Sequence, residues 1–368
     1  MTAASSESTS ETTGSTPPRL GVAVIGAGYW GPNLIRNAQA TPEMRVEYLC
    51  DLDGERARRV LGEYSTVKVA TSVDEVLADP AVDAVAIATP AATHFAVAMA
   101  ALEAGKHVLV EKPIAPTFEE GLTLAETADR LGLVLMVDHT FCYTNAVAKL
   151  REMIRGGELG ELQYIDSVRI NLGLIQSDVD VLWDLAPHDL SIFENILPED
   201  LRPVEVAAQG SDPVGAGHAC VAYLTLKLSN GVLAHVHVNW LSPTKIRNMI
   251  VGGSERMVVW DDLSVTQKLS VYDSGAEISA ASLDSDDRAA TIVAYRKGDM
   301  VAPAMPNNEA LRGVMAEFVA SINEKRAPLT DGWSGLQVLA ALEAASQSLA
   351  SGGAFVPIRQ VERPHGGK

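Results

Sequence analysis

Residues 20–31 read LGVAVIGAGYWG, a run of small and branched apolar side chains that ends in a G-x-G-x-x-G. Such a run is a buried strand, and glycines at this spacing take the chain through a tight turn into a helix. Gly26 permits the turn, Gly28 lets a diphosphate approach the backbone, and Gly31 lets the helix pack close to the strand. Pro32 opens the helix, where its missing N–H costs little. The first amides of that helix favour an anion. Asp51 stands 20 residues after Gly31, at the end of the next apolar run, VEYLC (46–50). A carboxylate there accepts hydrogen bonds from ribose hydroxyls and repels a 2′-phosphate, which predicts NAD rather than NADP. Arg56, Arg58 and Arg59 on the following helix are the counter-signal, and a solvated helix face accounts for them. The other reading of the glycines is a tight turn without a ligand.

The same alternation continues. VKVA (67–70), AVDAVAIAT (81–89), HVLVEKP (107–113) and LGLVLMVD (131–138) read as strands. Helices are predicted between them, including one over 89–106 capped by Thr89 and one over 117–131. Strands alternating with helices make a parallel, doubly wound sheet. This is an α/β fold, with a Rossmann domain over 19–141. The second half changes character. A helix over 145–160 and a long strand, LQYIDSVRINLG, lead to a helix over 183–197. Strand-like runs then follow one another: VEVAAQ, HACVAYLTLKLSN, GVLAHVHVNW, KIRNMIVGG and SERMVVWDD. Ser229-Asn230-Gly231 is a hairpin turn signal. Consecutive strands imply an open, mainly antiparallel sheet in a second α/β domain over 142–368, closed by helices at 309–324 and 335–353. Residues 1–18 are Ser/Thr-rich, almost without large apolar side chains, and read as a disordered tail.

Composition narrows the partners. Lys plus Arg is 29 and Asp plus Glu is 47, a net charge of -18. A field of that sign repels nucleic acid and anionic membranes but allows a small anionic ligand held by local groups. Three scattered cysteines, Cys50, Cys142 and Cys220, form neither a disulfide framework nor a metal site. The tail has no basic or apolar signal region, and no apolar run is long enough to span a membrane. The expected location is cytoplasmic.

Three further stretches carry polar chemistry. ATPAATH (88–94) leaves a strand at its carboxyl end, where open α/β sheets bind ligands. Thr89 there is a helix cap or a ligand contact, and His94 a helix-surface histidine or a ligand contact. Glu111-Lys112-Pro113 ends the next strand on the same edge, with Lys112 either a surface lysine or an acid–base group. In WDLAPHDLSI (183–192), Asp184 and His188 are four apart and share a helix face. A carboxylate beside an imidazole orients it and raises its pKa. The alternative is a capping Asp and a structural His.

In order and spacing, VIGAGYWGPN, CDLD, ATPAATH, EKP and D-x-x-x-H resemble the Gfo/Idh/MocA oxidoreductases from Leu20 onward. The resemblance implies the same two-domain fold. It implies Lys112, Asp184 and His188 as catalytic residues. It implies cofactor contacts at Gly26, Gly28, Tyr29, Trp30, Gly31, Asp51, Thr89, Pro90, His94, Glu111 and Lys112. GYWGPNLIRN, MVDHTFCYTNAV, YIDSVRINLGL and VLWDLAPHDLSI are similar to the branch acting on nucleotide sugars and aminosugars, with UDP-N-acetylglucosaminuronate 3-dehydrogenase as the nearest activity. His139, Tyr143 and Asn145, just past the last Rossmann strand, and Arg169 and Asn171, on one strand face, are the expected substrate contacts. Lys149, Lys245 and Arg247 are candidates for a diphosphate or for a solvated face. No metal is expected. The open sheet is the expected surface for a homodimer or homotetramer. Many relatives have D-x-G-x-H where this chain has Leu-Ala-Pro between Asp184 and His188, a departure that bears on the local backbone. The functional expectation is hydride transfer between NAD and a secondary alcohol or ketone of a sugar. The alternatives are an inositol or free-sugar dehydrogenase, an NAD-dependent glycoside hydrolase and a non-catalytic NAD-binding regulator.

Overall fold

The computed structural model describes residues 19–177, 179–278 and 293–363. The proposed tail lies outside them. The first half alternates as expected: β1 (Leu20–Ile25), α1 (Gly31–Ala40), β2 (Met44–Cys50), α2 (Gly54–Leu61), β3 (Lys68–Ala70), α3 (Val73–Ala78), β4 (Ala84–Ile87), α4 (His94–Glu103), β5 (His107–Glu111), α5 (Phe118–Leu131) and β6 (Leu135–Asp138). All six strands are parallel, in the order β3-β2-β1-β4-β5-β6. Alternate residues serve opposite faces, as the period of a strand requires. Val22 and Val24 pack with Leu34, Ile35 and Ala38 of α1, whereas Ala23 and Ile25 pack with Ala98, Ala101 and Leu102 of α4. The strand order reverses between β1 and β4, which opens a crevice at their carboxyl ends.

The helix starts follow side-chain capping. Asp53 accepts from the amides of Glu55 and Arg56, and Thr117 accepts from that of Glu120. One expected cap fails. A 3-10 turn over Ala91–Thr93 precedes α4, no side chain caps that helix, and the Thr89 hydroxyl instead receives the Thr93 hydroxyl.

The second half comprises α6 (Asn145–Arg155), β7 (Leu162–Leu172), α7 (Val181–Ile196), β8 (Pro203–Ser211), β9 (Val221–Leu228), β10 (Leu233–Asn239), β11 (Leu241–Gly253), β12 (Met257–Asp261), β13 (Leu269–Ile278), β14 (Val293–Val301), α8 (Ala310–Glu324), α9 (Gly332–Ala350) and β15 (Val356–Pro357). Its sheet runs β14-β13-β12-β11-β7-β10-β9-β8-β15. Neighbours are antiparallel except β7 and β10. Sequence reading misses β13 and β14, because their polar and glycine-bearing residues blur the alternation; β14 lies at the sheet edge and β13 beside it. It also does not foresee where α8 goes. Leu311, Val314, Met315 and Phe318 return to the first sheet and cover the face that carries α1.

α7 runs unbroken through Pro187, although proline offers no N–H to the carbonyl four residues back. It is held from both sides. Ala186 and Leu190 are buried in the second core, and Asp189 is paired with Arg169 of β7. That pair is sealed, at 3% and 1% exposure, with Arg169 Nε 2.8 Å from Asp189 Oδ2. Ser167 Oγ donates to the other oxygen at 2.8 Å. Asp189→Ala leaves a buried guanidinium without its counter-charge and is expected to cost about 3 to 5 kcal/mol in urea unfolding. An unchanged midpoint would contradict this.

Candidate active site

The loop after β1 has the shape a dinucleotide needs. Gly26 sits at φ +102°, and a Cβ at Gly31 would stand 2.1 Å from the Gly26 carbonyl oxygen, so neither position admits a side chain. Above Gly28 the space is open, and a Cβ there would meet nothing within 4 Å. No side chain caps the first turn of α1, Pro32 offers no N–H and the Asn33 amide donates to Trp30 O at 2.9 Å, so the Gly31 amide is the one this turn offers a phosphate. Tyr29 is 95% exposed at the rim. Asp51 braces the loop, with Oδ2 accepting from Ala27 N at 2.7 Å and Oδ1 from Asp53 N at 2.8 Å. Arg56 lies 3.7 Å from Asp51, and Arg56 and Arg59 lie 3.6 and 3.8 Å from Asp53, so both are already matched by carboxylates. These residues fit NAD. Asp51→Ala is expected to weaken NAD+ binding about tenfold or more, the worth of a charge-assisted hydrogen bond, in a fluorescence titration. Unaltered affinity would remove Asp51 from the site.

Two loops from the neighbouring strands meet this edge. His94 is buried and sits between them, Nδ1 2.7 Å from Pro113 O and Nε2 2.9 Å from Thr89 O. Both oxygens are acceptors, so a neutral ring donates its one N–H to a single carbonyl, and only the doubly protonated ring bonds both turns. Thr89 is half-buried and Pro90 exposed beside it. The Lys112–Pro113 peptide bond is cis. Glu111, at the end of β5, pairs in register with Asp138, at the end of β6.

Lys112 reaches across to α7. Its Nζ donates to the backbone oxygen of Asp184 at 2.6 Å and to Oδ1 of the same residue at 3.2 Å. Trp240 Nε1 donates to Asp184 Oδ2 at 3.0 Å. This corrects one expectation. The carboxylate of Asp184 is taken by Lys112 and Trp240, so it holds the lysine and not the imidazole. His188, one helical turn on, packs edge-on against Phe141 with ring centres 4.9 Å apart. Phe141 is itself sandwiched by Arg169 and Arg247, at 4.3 and 4.9 Å from its ring centre. Burial first, then the charges of Lys112 and Arg169, hold the His188 pKa well below the ordinary imidazole value. The expected rise in that pKa is therefore reversed, and the ring is neutral. His139, 2% exposed, is pushed down to about 3 by burial and Lys112, and neither of its nitrogens has a partner among the described residues.

The structure thus sets Lys112, Asp184, His188, His139 and Arg169 near one another, His139 and Arg169 buried and Lys112 bonded to Asp184. Asn171 lies two residues beyond Arg169 on the same face of β7, half-buried. Tyr143 and Asn145 are engaged elsewhere. The Tyr143 hydroxyl is 2.9 Å from Thr330 Oγ1, and Asn145 Nδ2 donates to Pro306 O at 2.7 Å. Lys149 pairs with Glu152, and Arg247 with Asp262. Trp240, Phe141 and Asp138 were not singled out from the sequence. Asp138 carried a usable signal, since two neighbouring parallel strands both end in an acid. A crevice of about 1620 Å³ runs along the C-terminal half of α7, and of Lys112, Asp184, His188, His139 and Arg169 only His139 lines it.

Comparison with known proteins agrees with this two-domain fold. The profile described as "Oxidoreductase family, NAD-binding Rossmann fold" matches residues 20–139, and the "GFO/IDH/MocA C-terminal domain" matches residues 147–259. UDP-N-acetylglucosamine 3-dehydrogenase of Acidithiobacillus ferrooxidans is 31% identical over 86% of this chain and 93% of that protein. The chain belongs to the Gfo/Idh/MocA oxidoreductase family. The solved structure of that same dehydrogenase superposes with a TM-score of 0.74 at 29% identity, covering 90% of this chain and 98% of that one. GenD2 from gentamicin A biosynthesis, solved in complex with NAD, shares the fold at 23% identity and a TM-score of 0.77, over 93% of this chain and 97% of that one. Inositol 2-dehydrogenase of Corynebacterium glutamicum is 28% identical over 60% of this chain and 67% of that protein.

As a Gfo/Idh/MocA protein the chain is an NAD-dependent oxidoreductase of CH–OH groups, in a family acting on sugars and polyols. Among the described residues no group of three or more His, Cys, Asp or Glu could hold a metal ion, and no helix is long and apolar enough to cross a membrane.

Proposed function

We propose that this oxidoreductase acts on a ring hydroxyl of a nucleotide sugar, at the 3-position of an N-acetylated hexose or its uronate, or on the matching ketone. The observation that supports this most is the 31% identity to a UDP-N-acetylglucosamine 3-dehydrogenase over 86% of the chain, joined to the Lys112–Asp184 bond and the charge of Lys112 acting on His188. NAD, when bound, takes or returns the hydride. The protein supplies position and field. An ammonium has three donors. Lys112 spends two on Asp184, which leaves one for the oxygen of the substrate as charge develops on it. Among the described residues His188 Nδ1 is sealed and without a partner, so Nε2 is the nitrogen left to exchange a proton with that oxygen. Because the ring is neutral it acts as a base in the oxidation direction.

The test is a panel of UDP-N-acetylglucosamine, its uronate, myo-inositol and free hexoses with NAD+, read by the absorbance of the reduced nicotinamide. Turnover confined to inositol would move the assignment to the polyol branch, the reading favoured by the inositol dehydrogenase match. Sugar release without net reduced cofactor would indicate a glycoside hydrolase. Tight NAD binding with no turnover at all would indicate a regulator. The outer face of the second sheet carries Tyr223 stacked 4.4 Å from His237, and the exposed Leu233 lies four residues before His237 on the same face of β10. We assign this face to homo-oligomer contact, and a monomer by light scattering would dismiss that assignment.

A further inference from the structure

We propose that Glu111 and Asp138 hold one proton between them, and that this proton is linked to the charge of the nicotinamide ring: it leaves when the cationic ring of NAD+ binds and stays when the neutral ring of NADH does. The inference rests on the NAD-binding role of the first domain and not on which alcohol is oxidised.

The geometry starts from the sheet. The two carboxyls end neighbouring parallel strands and are direct register partners. Asp138 is 1% exposed, and Glu111 Oε1 is sealed from solvent with no donor among the described residues. Two buried carboxylates side by side cannot both ionise. The hydrogen bonds say which one keeps the charge. Asp138 receives Thr140 Oγ1 at 2.7 Å and Trp30 Nε1 at 3.4 Å. Among the described residues Glu111 receives the amide of Lys112 alone, at 3.2 Å on Oε2. Asp138 is the anion and Glu111 the acid, with Oε1, the oxygen that lacks a donor, carrying the proton. Burial raises both pKa values, but Glu111 is pushed well above the ordinary glutamate range, with the charge of Asp138 as its second cause, while the bonds from Glu111, Thr140 and Trp30 pull Asp138 back down.

The surroundings make the pair sensitive to one added charge. Lys112, on the same turn as Glu111, is neutralised by Asp184 of α7. Of the imidazoles around that lysine, His139 after β6 and His188 of α7 have pKa values lowered by burial and are neutral, whereas for His94 of α4 the lowering by burial is opposed by the carbonyls of Pro113 and Thr89 that face its nitrogens. Trp30 and Thr140 contribute uncharged donors. The Glu111–Lys112 turn lies at the carboxyl end of β5, beside β4 and on the same edge as the glycine loop, so Glu111 would meet a new positive charge in low dielectric if the oxidised ring were held there. A cation there favours the ionised acid. Trp30 ties the pair directly to the phosphate loop.

The experiment measures Kd for NAD+, NADH and ADP-ribose, which lacks the ring, from about pH 6 to 9, the range in which buried glutamates titrate. For the unmodified protein NAD+ should tighten by up to about tenfold per pH unit over part of this range, the slope for one linked proton. NADH and ADP-ribose should stay flat. Glu111→Gln, which cannot ionise, should leave all three flat. Asp138→Asn removes the facing anion and should move the rise to lower pH. Parallel pH curves for NAD+ and NADH, or a surviving rise in Glu111→Gln, would overturn the proposal. Should Glu111→Gln not bind ADP-ribose, it is misfolded, and an unshifted curve in Asp138→Asn overturns the proposal instead. Loss of all NAD+ and ADP-ribose binding in the unmodified protein would be a failure of the cofactor assignment itself, a separate outcome.

Discussion

Lys112→Ala is expected to lower turnover at saturating NAD+ and substrate by about 100-fold to 10,000-fold, the worth of a positioned acid–base and charge-stabilising group. The size follows from what the ammonium does in place. It is pinned by two acceptors on one residue of the other domain, Asp184 O at 2.6 Å and Asp184 Oδ1 at 3.2 Å, so its third N–H has a fixed direction. Alanine removes that donor and leaves the Asp184 carboxylate with Trp240 Nε1 as its remaining partner. The site then presents a half-buried anion to a developing alkoxide, which adds repulsion to the lost attraction. Lys112→Arg should not rescue, because a planar fork cannot point one N–H along the path of a compact ammonium while keeping both bonds to Asp184. Steady-state turnover within threefold of the unmodified enzyme in Lys112→Ala would sink the assignment.

Much of this arrangement is legible before any coordinates. The parallel sheet is written in short apolar runs, each closed by a turn signal, and the carboxyl edge of that sheet gathers Gly26, Thr89 and Lys112 by topology alone. The helical spacing of Asp184 and His188 places them on one face of α7. What they touch on that face is a different kind of fact. Asp184 is close in sequence to His188 and yet bonds Lys112 and Trp240, 72 and 56 residues away. A hydrophobic pattern states that α8 must bury a stripe but not that the stripe belongs to the first sheet. His94 shows the same limit. A histidine at a helix start reads as exposed or ligand-facing, and only the folded loops supply the two carbonyls that claim its ring. Tyr143 and Asn145 were placed near the site by their nearness to β6, which fixes where a backbone is but not where a side chain turns.

His188→Ala is expected to cost turnover at least about 100-fold, and the pH behaviour of the intact enzyme should show why. An unperturbed imidazole titrates near 6.5. Here burial, Lys112 and Arg169 keep His188 from taking a proton, so the base stays competent as pH falls through that value. The acidic limb of kcat/KM should therefore lie well below pH 6.5. A limb centred there that persists with saturating NAD+ would contradict a neutral, buried base. The same groups predict a stability trend of definite sign. Their native pKa values lie below their unfolded ones, so above about pH 6.5 both states are neutral and nothing changes. Below it the unfolded chain binds protons that native His188 and His139 refuse. Stability then falls with falling pH, for His139 down to its value of about 3. The loss is at most about 1.4 kcal/mol per pH unit for each ring. His139→Gln should flatten the decline of the melting temperature between about pH 6.5 and 5, because glutamine has no proton to gain. An identical decline in that variant would place the cost on other groups, and the sealed, neutral state of the imidazoles around Lys112 would lose its thermodynamic support.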